Sequence, residues 1–125
     1  MIGPLKAERQ SLKSTLEAAG LEAFDHLPAR YSPPAAVVLP GSPYLVAGPN
    51  FGEHTVTFDV ELIAARGDNE VQTDQLDDLI DTTVVALLEA GWDLGDIAKP
   101  SMLQPREGEM YLAVPVTVST PIRFS

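Results

Sequence analysis

Four aspartates, Asp74, Asp77, Asp78 and Asp81, carry the strongest chemical signal in the 125-residue chain, because the last three form a DDxxD arrangement. In enzymes that motif holds magnesium and a diphosphate inside a large helical bundle, where carboxylates and phosphate oxygens share the metal. Here Leu76, Leu79 and Ile80 are interleaved at core spacing, so the carboxylates fall on the solvated side of one helix. They crowd its first half, where negative charge complements the positive end of the helix dipole. The two histidines, His26 and His54, belong to neither an HxxxH nor an HExxH pattern, and there is no cysteine. A zinc site would therefore need carboxylates from distant segments. Asp68, Glu70 and Gln72 begin like a calcium loop, but its sixth position is Thr73 and its twelfth is Leu79, where glycine and a bidentate glutamate are needed. Gly41-Ser42-Pro43 lacks the GxSxG elbow, and there is no glycine-rich phosphate loop or dinucleotide fingerprint. The residues predict no catalytic, metal or cofactor-binding site and no cofactor.

Composition sets the frame for the elements. The chain is 45% apolar and 21% charged, and its length suits one domain, residues 1–125, able to bury a single core. Without cysteine it is no disulfide scaffold. Its first residues, MIGPLKAERQ, lack the apolar core of a signal peptide, and runs such as Val84 to Leu88 are too short for a bilayer. A soluble protein without membrane contact is expected. Eighteen acidic against eight basic residues give a net charge of −10, which repels phosphate and disfavours tight binding to nucleic acid.

His54 to Ala65, HTVTFDVELIAA, reads as the central strand: Val56, Phe58, Val60, Leu62 and Ala64 share one face, and Thr55, Thr57, Asp59 and Glu61 the other. Met110 to Ser119 is a second clear strand, expected to pair antiparallel with the first, and Pro115 puts it near an edge or a bulge. Residues 4–19 form an amphipathic helix capped by Gly20. Residues 70–90 form a broader one, with Leu76, Leu79, Ile80, Thr83, Val84, Leu87 and Leu88 inward, capped by Gly91 and Trp92. Leu21, Ala23, Phe24 and Leu27 suggest a short helical turn. Ala35 to Leu39 is a short strand ending at Pro40. Residues 66–69, 92–96 and 104–108 are turns, and 97–103 is a weak edge strand interrupted by Pro100. Residues 40–54, PGSPYLVAGPNFGEH, are either a hairpin with a packed tip or a projecting loop that docks apolar groups elsewhere. The fold class is α+β: a small mixed, mainly antiparallel sheet packed by two helices as a two-layer sandwich.

The order of these parts, with PLKAERQSLKSTLEAA, AAVVLPGSPY, VTFDVELIAAR, an acidic helix closing on AGW and the tip Arg123-Phe124, resembles the tail terminator (tail completion) proteins of long-tailed bacteriophages, especially those infecting actinobacteria. The resemblance runs from about Leu5 to Ser119 and rests on hydrophobic pattern and turn chemistry. It implies a non-enzymatic virion structural protein, made in the host cytoplasm and placed at the head-proximal end of the tail. There it would assemble as a hexameric ring on the last ring of tail tube protein, stop tube growth and offer a docking surface to the head–tail connector or stopper protein. Genomic DNA would pass through the lumen without specific binding, which an acidic wall favours. The family transfers no contact residues. From this sequence the candidate assembly contacts are Tyr44, Leu45, Val46, Phe51, Arg123 and Phe124, and the candidate acidic lumen or seam is Asp59, Glu61, Asp74, Asp77 and Asp78. Strand edges are a further expected route to a neighbouring subunit. The alternatives are another head–tail connector or minor tail protein, or a small non-viral ligand-binding module or enzyme.

Overall fold

The computed structural model describes residues 3–26, 33–65, 69–106 and 109–124. Period-two burial builds its centre. In β3 (Glu53–Ile63), Val56, Phe58, Val60 and Leu62 are fully buried, as is Ala64 just beyond. β3 lies between β2 (Ala35–Ala47) and β6 (Glu109–Arg123), antiparallel to both. β1 (Ala23–Phe24) pairs parallel with the start of β2, while β4 (Asp93–Ile97) and β5 (Ser101–Arg106) share the far edge of β6.

Both helices pack on the face that carries Phe58. Leu12 and Leu16 of α1 (Pro4–Ala18) and Leu76, Leu79 and Leu87 of α2 (Asn69–Glu89) join the β3 and β6 valines in one cluster. The result is a six-stranded, mostly antiparallel open sheet covered on one side by two helices, an α+β fold. Each helix stops in the same way. Gly20 and Gly91 take φ of 93° and 89°, a region open to a residue without Cβ. The following residues, Leu21 and Trp92, donate back to the carbonyls of Leu16 and Leu87 at 3.1 and 3.0 Å, which satisfies orphan carbonyls of the last turn.

Several segments differ from the sequence expectation. Ala23 and Phe24 form a strand instead of a helical turn, and Leu27 lies outside the described residues. β2 does not stop at Pro40. It continues to Ala47 with a register break between Pro40 and Leu45. Ala36 donates to the Glu22 carbonyl on the β1 side; by strand alternation Pro40 therefore turns its donorless nitrogen to the same outer edge, beyond the reach of β1. Residues 93–96, expected as part of a turn, belong with Ile97 to a short polar edge strand, a form that edges tolerate well. The weak strand of 97–103 divides at 98–100: β4 ends at Ile97 and β5 starts at Ser101.

β6 is longer than expected and lies next to the edge strands β4 and β5, in keeping with the expected place near an edge or a bulge. The Leu112 carbonyl faces β3, where it accepts from Ala64 at 2.9 Å. Alternation then turns Pro115 toward the other side, where pairing passes from Ile97↔Val116 to Ser101↔Ala113 and leaves Pro115 opposite the break. The missing donor costs no ladder bond there. β5 extends to Arg106 through part of the expected 104–108 turn; residues 107–108, like most of the 66–69 turn, lie outside the described residues. Leu88 is 58% exposed and does not belong to the inward stripe of α2.

Candidate functional site

The hairpin between β2 and β3 projects a braced apolar tip. Gly48 donates to the Glu53 carbonyl at 2.8 Å and Glu53 to the Asn50 carbonyl at 3.1 Å. The Asn50 amide reaches both Glu53 carboxylate oxygens at 3.2 Å, and Arg123 Nη1 donates to Glu53 Oε1 at 2.8 Å. Phe124 donates its backbone N–H to the Gly52 carbonyl at 3.0 Å. Phe51, at the tip, is 97% exposed. Phe124 lies edge-on to His54 with ring centroids 5.2 Å apart, and the buried His54 Nδ1 has no hydrogen-bond partner among the described residues. The structure thus gathers Val46, Phe51, Arg123 and Phe124 of the six expected contacts at one end of the sheet. Tyr44 and Leu45 turn the other way, onto the core, with Tyr44 edge-on to Phe58 at 5.7 Å. The register break between Pro40 and Leu45 accounts for this turn of the strand, and the two side chains do not join the exposed group at the tip.

The five expected acidic residues fall on opposite sides of the sandwich. Asp74, Asp77 and Asp78 stand exposed on the outer surface of α2. Asp59 and Glu61 lie on the sheet face turned away from the helices, half-buried, where the Thr117 hydroxyl donates to Asp59 Oδ1 at 3.0 Å. One continuous acidic wall made of all five is excluded within a protomer. The uncovered face also holds a small apolar cluster, Val37, Ile63, Tyr111 and Ala113, flanked by Phe24 and Leu39. Ile63 therefore breaks the polar pattern of its strand face.

Burial, and then the neighbouring charge of Asp59, raise the Glu61 carboxyl above its ordinary value. Folded protein holds this proton to higher pH than unfolded chain, so stability falls as pH rises from the ordinary glutamate range through the raised value. Glu61→Gln removes that loss. Urea unfolding of wild type and variant between pH 4 and 7 should show the stability difference growing with pH in favour of glutamine. A difference independent of pH would refute the assignment. The second histidine, His26, is exposed and contacts Asp25 Oδ1 at 2.9 Å; that hydrogen bond is the main cause of the lowered Asp25 pKa.

Two surface depressions matter beside the tip. A cleft of about 390 Å³ runs between the first turns of α1 and the hairpin base, lined by Pro4, Glu8, Glu53 and Arg123 among others. A shallow, open depression of about 420 Å³ lies along the second half of α2 beside the end of α1, lined by Ala19, Val85, Ala86, Asp81 and Glu89 among others. The sequence reading missed this depression. Its signal is the alanines near both helix ends together with Val85, which is 55% exposed. Among the described residues, no three His, Asp or Glu side chains converge to hold a metal ion, and no helix is long and apolar enough to cross a membrane. No protein-family model matches the chain, and no curated protein sequence matches it.

Proposed function

We propose that the protein is a virion structural component that caps the completed phage tail tube as a ring, stops tube polymerisation and presents a docking surface to the head-side connector. The observation that carries this reading is the presented tip. An almost fully exposed phenylalanine on a turn held by six hydrogen bonds is a preorganised anchor for another protein, since ordering costs are already met before binding. The α+β fold agrees with what the resemblance implies. The half-buried Asp59 and Glu61 on the uncovered sheet face suit a wall that DNA passes without adhering.

The test is electron microscopy of particles assembled without this protein. Overlong, headless tails are the expected result. Tails of normal length that fail to join heads would instead mark a connector, and normal infectious particles would overturn both roles.

A further inference from the structure

Five of the six hydrogen bonds at the tip end on one residue, Glu53. Its backbone N–H and carbonyl meet Asn50 and Gly48, and its carboxylate takes the Asn50 amide on both oxygens. These four bonds lie within the hairpin, so they fix the shape of the turn and not its angle to the sheet. The other two ties come from outside it. Arg123 Nη1 closes on Glu53 Oε1 at 2.8 Å, and the Phe124 N–H reaches the Gly52 carbonyl at 3.0 Å. The second tie carries the β3–β6 ladder one step past its last pair, Glu53↔Arg123, into the turn. On that side the pairing is unbroken from Ile63↔Ala113 outward. On the β2 side it is interrupted between Pro40 and Leu45, and only three pairs, from Leu45↔Val56 to Ala47↔His54, follow the break. The angle of the tip is therefore set from β6.

We propose that Arg123 and Phe124 form a strap that holds the β2–β3 tip at the angle in which Phe51 meets its partner. The strap deepens the ring reading, on which it rests, by making two of the six expected contacts positioning residues. Arg123 acts through Glu53 and brings no charge to the partner. The two side chains neutralise each other, and Glu8 of α1 lines the same cleft, so the tip presents no net positive charge. What it presents is apolar: Phe51, almost fully exposed, and Val46. Phe124 packs edge-on with His54 at 5.2 Å, which keeps its own N–H within reach of Gly52. A turn already held at one angle loses less freedom on binding than one that swings.

Arg123→Ala tests the strap by amide hydrogen exchange of the uncomplexed protein. Protection of the Gly48 and Glu53 N–H groups should fall about fivefold, the upper range for an exposed ion pair. Val60 and Val116, paired at the sheet centre, should exchange as in wild type. Arg123 uses one nitrogen only, so Arg123→Lys should retain the protection. Phe124→Ala should act in the same direction as Arg123→Ala. Unchanged exchange at the tip overturns the strap. A double-mutant cycle on self-association, read by sedimentation, separates positioning from contact. Arg123→Ala combined with Glu53→Ala should lose no more than Glu53→Ala alone. An extra loss in the double variant would make Arg123 a contact and overturn its role in the strap, with the ring reading left standing. A wild-type protein that stays monomeric at every concentration overturns the ring reading, and exchange then decides the strap alone.

Discussion

Phe58→Ala is expected to lower unfolding free energy by about 3–5 kcal/mol, the usual cost of removing a buried aromatic ring and leaving its cavity. Phe58 is fully buried at the middle of β3 and touches two other rings edge-on: Tyr44 of β2 at 5.7 Å and 75°, and Trp92 beyond α2 at 6.1 Å and 68°. Such edge-to-face pairs contribute beyond the area they bury. One side chain on the central strand therefore holds the hairpin arm on one side and the end of the second helix on the other. A domain of this size has about 5–15 kcal/mol of stability in total, so the loss would leave the variant marginal. Trp92 is the sole tryptophan, which makes its fluorescence a local reporter for urea titration. Tyr44→Ser should also destabilise, because its ring is seated on Phe58. Phe51→Ser should change stability by no more than about 0.5 kcal/mol, the usual range for a surface position. Equal losses at Phe58 and Phe51 would refute the division between core and presented tip.

The same division explains what was legible in the sequence. Val56, Phe58, Val60 and Leu62 announce a strand because one face must leave water entirely while the other stays polar, and all four are buried. The two Gly caps are equally readable, since positive φ at Gly20 and Gly91 is a local requirement that no distant residue supplies. The arm at 40–47 was not legible as strand. Its Pro, Gly and Ser residues are turn chemistry locally, and only the pairing with β3 shows that the Pro40 nitrogen faces an edge needing no donor. Residues 93–96 hid for a related reason: a polar edge strand buries too little to produce alternation. The candidate contacts were half-legible. Exposure of Phe51 follows from its place in a Gly-rich turn, but the inward rotation of Tyr44 and Leu45 depends on the register break. The opposite placement of Asp59 and Glu61 from the α2 aspartates depends on which sheet face the helices cover, and that is a tertiary fact. The depression was invisible because it belongs to two helices distant in sequence.

Gly41→Ala is expected to destabilise by about 1–3 kcal/mol, the range for forcing extra volume into packed structure. In β2, Pro40 pairs with Phe58 and Leu45 with Val56, so four residues, Gly41 to Tyr44, span the place of Thr57 alone. That excess swings the arm and brings Gly41 onto Thr57. A Cβ there would lie 2.6 Å from Thr57 Cγ2 and 2.8 Å from its carbonyl oxygen. The methyl can rotate away; the carbonyl belongs to the β3 backbone and cannot. Relief therefore requires β2 to lift from β3 near the residue that also seats Tyr44 on Phe58. Gly95→Ala is the matched control, since its nearest atoms, on Thr117, are 3.5 Å away, an ordinary contact. It should be close to neutral in urea unfolding, and a Gly41→Ala variant as stable as wild type would show that the close approach is not tight. The bulge also sets the angle at which the rest of the hairpin, with Phe51 at its end, leaves the sheet.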